Sequence, residues 1–333
     1  MISNSTILVT GGAGYIGSHT ARLMAQKGYK IIILDHAPMH HAALGWATYI
    51  RDDFASRPAL QNIFSTYNVE AVMHFAAFID VHASIKNPRQ YYHNNVIKTC
   101  QLLDTMLEHG IHKFIFSSSC AVYGTPIYTP IDEQHPQQPI TPYGESKKII
   151  EQILKDYAHA YHFSYVSLRY FNAAGAQPEQ QLGERHQPET HLIPVLLSAL
   201  HNRRPFTIFG TNYNTPDGTC IRDFLHVRDI AHAHYLALMH LNNTQTSDCF
   251  NLGTGRGFSI REIAETAQKI FKRELNIAYG DQRAGDPAQL VANPTKAHLL
   301  LQWQPQYSDL SYMLHSAHEF MLQQETYKHL LQQ

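Results

Sequence analysis

The sequence predicts an α/β fold, a doubly wound parallel sheet followed by a smaller mixed α/β carboxyl-terminal domain. Three observations carry that prediction. The apolar strand Thr6-Ile-Leu-Val-Thr10 runs directly into Gly11-Gly-Ala-Gly14-Tyr-Ile-Gly17 and a helical stretch. A second apolar run, Ile31-Ile-Ile-Leu34, ends on Asp35. Short apolar runs recur at Ala71-Val-Met-His-Phe75, Phe114-Ile-Phe116 and Tyr165-Val-Ser-Leu168, with helical or irregular segments between them. Strands alternating with helices give a parallel sheet covered on both faces.

Taken in order, the glycine turn comes first. Its glycines permit a tight turn, let backbone approach a pyrophosphate and allow close helix packing, while the helix start offers unpaired N–H groups to an anion. Gly28 can end that helix. Asp35 closes the second strand, where a carboxylate accepts hydrogen bonds from an adenosine ribose and repels a 2′-phosphate. The expected sheet is therefore of the Rossmann type and the expected cofactor is NAD, not NADP. Ligands of such sheets lie at the carboxyl ends of the strands, where Gly11, Asp35, Phe75-Ala-Ala77, Ser117-Ser-Ser119 and Tyr170-Phe-Asn172 all fall.

The run Phe116-Ser-Ser-Ser119-Cys120 reads as a buried strand ending in hydroxyls, and Tyr143-Gly-Glu-Ser-Lys147 opens an amphipathic helix carrying Ile149, Ile150, Ile153, Leu154 and Tyr157. Residues at i and i+4 share a helical face, so the Lys147 ammonium favours the Tyr143 phenolate over the phenol. A free tyrosine titrates near pH ~10, so Tyr143 needs that lysine and a second cation to act as a base near neutrality. An oxidised nicotinamide ring would supply the second cation.

Beyond Asn172 the texture changes, and Gln177 to Pro188 is polar and turn-prone. The expected division is residues 1–175 for the dinucleotide and 176–333 for the substrate, later segments being free to pack back on the first domain. Ser259 and Glu262 form a capping box for a helix with Ile260, Ile263, Ala267 and Ile270 on one face.

With 333 residues, 44% of them hydrophobic, the chain can bury a full core. Lys plus Arg number 26 against 27 for Asp plus Glu, a balance that argues for neither a nucleic-acid nor a membrane partner. Cys100, Cys120, Cys220 and Cys249 are scattered without a Cys-x-x-Cys pair, against a zinc site or disulfide framework. With Ile7 already in the first strand and no apolar run of spanning length, the expected location is cytoplasmic. The 23 histidines, including His40-His41 and His232, His234 and His240, lack metal-ligand spacing. They are expected to be surface and satisfied core residues, with no metal.

The glycine turn, the serine strand end and Tyr143-x-x-x-Lys147 resemble the extended short-chain dehydrogenase/reductase family. Tyr91-Tyr-His-Asn-Asn95-Val, Leu168-Arg-Tyr-Phe-Asn-Ala-Ala-Gly175, Pro188-Glu-Thr-His-Leu-Ile-Pro194 and Asp217-Gly-Thr-Cys-Ile-Arg-Asp-Phe-Leu-His-Val227 narrow the resemblance to its UDP-glucose 4-epimerase branch, from about Ile7 to Trp303. The resemblance implies Tyr143 as base, Lys147 as the residue that holds the nicotinamide ribose, and Ser119 as the hydroxyl that bonds the sugar O4. It implies NAD contacts from Gly11, Gly14, Tyr15, Ile16, Gly17, Asp35, Asp53, Phe54, Phe75, Ala76, Ala77, Asn95, Lys147 and Tyr170. It places the UDP-sugar on Phe171, Asn172, His191, Leu192, Thr207, Phe209, Arg222, Arg283, Asp286 and Leu290. Guanidinium forks such as those of Arg222 and Arg283 match phosphate oxygens, although Arg222 beside Asp223 also reads as an ordinary ion pair. The implied reaction oxidises the sugar 4-hydroxyl, turns the 4-keto sugar about its diphosphate tether and returns the hydride to the other face. A homodimer through Asn87 to Gly110 and Pro142 to Tyr161 is also implied.

Three departures mark this chain. The loop His36 to Leu44 lacks the Asn and Ser that usually cover the adenosine. Ile79 stands where many relatives carry a cofactor-contacting Lys, and Leu290 stands where the residue size sets tolerance for N-acetylated sugars. Alternatives remain: a 4-epimerase of another UDP-sugar (N-acetylhexosamine, pentose or uronic acid), a 4,6-dehydratase, for which Ser119-Cys120-Ala121 offers no acid, and a non-catalytic dinucleotide-binding protein.

Overall fold

The computed structural model describes residues 5–38, 44–283 and 286–330. Its first half builds β1 (Thr6–Thr10), α1 (Tyr15–Gln26), β2 (Lys30–Asp35), β3 (Thr48–Arg51), α2 (Arg57–Thr66), β4 (Val69–His74), α3 (Val81–Lys86) and α4 (Pro88–Tyr91). A π-helical turn, Tyr92–Ile97, leads into α5 (Lys98–Glu108), then β5 (Lys113–Ser119), α6 (Pro142–Tyr161), β6 (Ser164–Tyr170) and β7 (Asn172–Ala174). The second half adds α7 (Leu192–Asn202), β8 (Phe206–Phe209), β9 (Ile221–Arg222), β10 (Phe224–His226), α8 (Val227–Thr244), β11 (Asp248–Leu252), β12 (Phe258–Ser259) and α9 (Ile260–Phe271). It ends with β13 (Ile277–Gly280), β14 (Gln289–Leu290), α10 (Thr295–Leu300) and α11 (Leu310–Leu330).

The main sheet has seven strands among the described residues, in the order β11-β6-β5-β4-β1-β2-β3, and every pair is parallel. Side chains of one strand alternate between faces, so Ile7 and Val9 join one core with α1 and α8, while Leu8 joins the other with α2, α5 and α6. Both faces are buried, which is why the inner strands read as continuous apolar runs. The strands expected from the sequence lie where they were read, β5 and β6 running longer to Ser119 and Tyr170.

The two edge strands, β3 and β11, lie outside the sequence reading. β11 belongs to the second half of the chain and pairs with β6, and α8 packs beside α1 through Ile230, Ala233 and Ala237. The chain thus crosses back onto the first sheet after β10. The remaining elements surround a separate core of Leu196, Leu197, Ile208, Ile263, Ala267 and Leu314. There α9 starts at Ser259 with the reciprocal Ser259–Glu262 capping box in place.

Candidate active site

The glycine turn is built against the carboxyl end of β4. Gly11 has φ +72°, and a Cβ on it would come within 2.5 Å of the Ala76 amide nitrogen. A Cβ on Gly17 would meet the Gly11 carbonyl oxygen at 2.3 Å. Both positions exclude a side chain, and the backbone they bring together with Phe75, Ala76 and Ala77 is open to a ligand's approach. Gly14 precedes α1 without a side-chain cap, leaving the helix start to an anion. In the first turn of α1, Tyr15 donates from its hydroxyl to the Gly175 carbonyl at 2.6 Å, and Ile16 packs on the core. Asp35, 7% exposed, accepts from the Ala13 and Ala37 amides at 3.0 and 2.9 Å, which fixes the carboxylate across the turn. This cradle fits a dinucleotide: glycine where a Cβ would intrude, an uncapped helix start and an acid at the end of β2. Residues 39–43 of the loop after Asp35 lie outside the described residues.

Asp53 forms an ion pair with Lys98, and the Phe54 ring is committed to the sheet core, 5.1 Å from the His74 ring. Asn95 sits on the π-helical turn with its amide fully engaged. It accepts from the Phe78 amide at 2.9 Å and donates to the Phe78 carbonyl at 3.0 Å and to Ser146 at 3.1 Å. Its side chain therefore ties the loop after β4 to α6.

Strand β5 ends in three serines beside α6, of which Ser118 bonds that helix through its side chain. Thr141 caps that helix by accepting from the Gly144 amide, which presents Tyr143 and Lys147 to the strand end. Ser119, 8% exposed, accepts from the Ala121 amide at 3.1 Å and lies on the side of the Tyr143 phenol, whose pKa it lowers. Lys147, 3% exposed, donates to the Ser117 carbonyl at 2.8 Å, its ammonium 5.8 Å from the Tyr143 ring centroid. Burial lowers the Lys147 pKa to about 7, with Glu151 opposing the shift. Burial raises the Tyr143 phenol well above its ordinary value, the Tyr170 hydroxyl adds to the rise and Ser119 works against it. Tyr143 on its own is thus held neutral, and base chemistry requires a further positive charge beside it. Tyr170 hydrogen-bonds Ser117 from β6.

The second half supplies the other wall. Asn172 donates to the Asp223 carbonyl at 2.9 Å. Arg222, 8% exposed, pairs with Asp286 and donates to the Ile221 carbonyl, so its partner is Asp286 and not its chain neighbour Asp223. The Asp223 carboxylate instead accepts from the Thr254, Gly255 and Ala292 amides. Leu290 lies opposite Arg222 in the β14–β9 ladder and packs on a cluster with Cys120, Tyr123 and Phe171. The Cys120 thiol, next to Ser119, is pushed up to about 12 by burial, the Arg222 guanidinium opposing the rise, and Leu290 packs on the cluster that holds Cys120, which brings the end of β5 against the β14–β9 ladder. Arg283 stacks on Phe209 at 4.0 Å, and Thr207 lies on the same strand, β8.

His191 and Leu192 open α7. Unforeseen in the sequence, Glu184, His186, Glu189 and His191 bring their ligand-type atoms within 4.8 Å of one another. Burial opposes ionisation of Glu184, but His186 and His191 hold its carboxyl below the usual range. Burial also opposes charge on His191, and Glu184 overcomes it. Elsewhere the histidines divide between surface and core: His36, His82 and His159 are exposed, whereas His74 is held by Thr10 and Thr99 at 2.7 and 3.1 Å and His234 is fully buried. Also missed was a buried network of Glu151, Arg169, Tyr123 and Asn251 beneath the serines. Its signal was a charge, Arg169, inside an apolar strand.

The family described as "NAD dependent epimerase/dehydratase family" matches residues 7–253. UDP-glucose 4-epimerase of Halalkalibacterium halodurans is 47% identical, over 93% of this chain and 94% of that one. The enzyme of the same name from Rhizobium meliloti is 46% identical, over 95% and 97%. The crystal structure of UDP-glucose 4-epimerase from Brucella ovis in complex with NAD superposes with a TM-score of 0.90 at 45% identity, covering 94% of this chain and 97% of that one. With the family model matched over residues 7–253 and relatives of 46–47% identity along more than nine-tenths of its length, the chain belongs to the NAD dependent epimerase/dehydratase family.

Proposed function

We propose that this chain is an NAD-dependent isomerase that interconverts UDP-glucose and UDP-galactose by inversion at C4 through a 4-keto sugar. The observation that carries the reading is the convergence of Ser119, Tyr143 and Lys147 between a dinucleotide cradle and the Arg222 corner, in a chain whose full-length relatives are UDP-glucose 4-epimerases. NAD, when bound, supplies the acceptor that takes the C4 hydride and gives it back.

The chain's own residues do the rest. Tyr143 takes the proton of the 4-hydroxyl and later returns it, Ser119 holds O4, and Lys147 supplies the ammonium that lowers the phenol once a second positive charge adjoins it. Gly11, Gly14, Tyr15, Ile16, Gly17, Asp35, Asp53, Phe54, Phe75, Ala76, Ala77, Asn95 and Tyr170 line or support the cofactor. Arg222 meets the diphosphate on exchanging Asp286, while Phe209, Arg283, Thr207, Asn172, His191 and Leu192 hold the nucleotide. Phe171 and Leu290 face the sugar. A 4,6-dehydratase would need an acid after the strand end, and there Cys120 is a buried thiol with its pKa near 12.

The dinucleotide unit in this reading comprises residues 1–175 with α8 and β11, and the substrate unit the rest. A homodimer through α5 and α6 is part of the reading, supported by Ile97, 49% exposed at the start of that surface. A cytoplasmic location is supported by four free thiols and by the lack, among the described residues, of a helix long and apolar enough to cross a membrane. The test is a proton NMR time course of the purified chain with UDP-galactose and no added cofactor. Growth of UDP-glucose to a fixed ratio is expected; if added NAD elicits no conversion, the reading is wrong.

A further inference from the structure

Two of the serines that end β5, Ser117 and Ser118, grip α6 at successive turns. The Ser117 carbonyl takes Lys147 at 2.8 Å, and Ser118 donates to Glu151 Oε1 at 2.6 Å. Tyr143, Lys147 and Glu151 are spaced i, i+4 and i+8, one stripe of the helix. Glu151 is 7% exposed and Arg169 3% exposed. The guanidinium forks onto the carboxylate from β6, with Nε at 2.9 Å from Oε1 and Nη2 bonded to Oε2. Gln137 adds a bond at 3.1 Å. The other side of Arg169 donates to the Tyr123 hydroxyl at 2.8 Å, which donates in turn to Asn251 of β11 at 2.7 Å. The grip therefore runs from the strand that recrosses from the second half of the chain to the catalytic helix.

We propose that Glu151 is the positioning residue of the Tyr143–Lys147 pair: clamped by Arg169 and bonded to Ser118, it fixes the serine strand end against α6 and keeps a negative charge one turn from the Lys147 ammonium. This deepens the epimerase reading and rests on it. A buried ammonium loses its proton readily, and a nearby carboxylate opposes that loss, in line with the direction found for Lys147. Carboxylates also stand at Glu145, in the first turn of α6, and at Asp80, which caps α3, but Glu151 is the charge that acts on Lys147. Tyr143, Tyr170 and Cys120 are neutral groups raised by burial, and Tyr91 is likewise raised. His74 is held neutral beyond the Phe116 ring. His82, Lys86 and Arg89 on the packed helices α3 and α4 are exposed.

The test uses the NAD-loaded chain labelled with carbon-13 at lysine Cε, the Lys147 signal being assigned by its loss in Lys147→Met. In Glu151→Gln the Lys147 pKa is expected to fall by about one unit, as removal of an adjacent opposite charge does. In Glu151→Asp, which keeps the charge but shortens the reach, the pKa is expected to stay near that of the parent. Turnover measured alongside is expected to fall about tenfold in Glu151→Asp at little-changed KM, as when a base is held out of line. Ser118→Ala, which leaves the buried ion pair whole, is expected to lose kcat several-fold at unchanged KM and to decide the question should Glu151→Gln not fold. An unshifted Lys147 in folded Glu151→Gln, or a Ser118→Ala variant with the parent's kcat, overturns the proposal. If the parent fails to epimerise UDP-galactose, the epimerase reading fails instead, and the Lys147 titration still decides whether Glu151 governs its charge.

Discussion

The stripe of α6 and the corner of Arg222 and Asp286 are held in opposite ways. Tyr143, Lys147 and Glu151 sit on a 20-residue helix and are 9%, 3% and 7% exposed, and Lys147 and Glu151 bond an inner strand of the main sheet. Arg222 and Leu290 sit on two-residue strands, and Phe209 is 38% exposed under Arg283. The contrast suits a reaction in which the proton acceptor must stay within hydrogen-bond reach while a tethered sugar turns. Rigid placement belongs to the chemistry and adaptable placement to the anchor.

Breaking the rigid side should have the largest effect. Tyr143→Phe keeps the ring in the cluster and removes only the proton acceptor. Turnover of UDP-galactose is expected to drop by about 10³-fold or more, with NAD still co-purifying by absorbance. Near-parent activity would remove Tyr143 from its role as base.

Lys147 sharpens the comparison because its placement costs stability. The unfolded chain holds the lysine proton up to pH about 10.4, whereas burial brings the folded pKa to about 7. Between those values the unfolded state binds more protons, so stability rises with pH; below about pH 7 the full penalty applies, on the order of 4 kcal/mol. Lys147→Met is expected to be inactive yet more stable than the parent at pH 6, the gain fading as the pH approaches 10. Thermal unfolding midpoints at pH 6, 8 and 10 check this, and a destabilised variant at pH 6 would show the ammonium to be well compensated. No such gain is expected at the corner, where Arg222 already has Asp286. Arg222→Met, which keeps the apolar stem, is expected to raise KM for the UDP-sugar about 10- to 100-fold through the lost charged contact with phosphate, with kcat changed far less. A kcat loss at constant KM would place Arg222 with the chemistry instead of the anchor.

The same contrast separates what was legible in the sequence from what was not. Inner strands such as Ile7-Leu-Val9 and Ile31 to Leu34 are buried on both faces and announce themselves as apolar runs. The edge strands do not: Thr48–Arg51 is only half-buried, and Asp248–Leu252 opens with polar and half-buried residues, since an edge has a neighbour on one side only. The glycine turn and the Tyr143 and Lys147 helix depend on local spacing, which a sequence displays. Glu151 bonding Ser118 and Arg169, and Arg222 choosing Asp286 over Asp223, depend on chain crossings, which it does not, whereas Glu184, His186, Glu189 and His191 are near in sequence and are gathered only by the path of their loop. Asn95 shows the limit from the other direction. A motif marks the position, but only the fold reveals that its amide is taken up by Phe78 and Ser146.

The smallest expected effect concerns the sugar end of the adaptable wall. Leu290 is half-buried beside Phe171 and Tyr123, on a strand held by its register with Arg222. Shortening it removes three carbons from the pocket wall without touching Ser119, Tyr143 or Lys147. Pocket contacts of this size discriminate by roughly 10-fold or somewhat more. Leu290→Ala is therefore expected to raise kcat/KM for UDP-N-acetylglucosamine relative to UDP-glucose by about tenfold, while Tyr143-dependent turnover of UDP-glucose changes little. Competition between the two sugars in one NMR tube reads the ratio directly. An unchanged ratio would move the acetamido boundary away from β14, and a matching loss for both sugars would show Leu290 to support the rigid side.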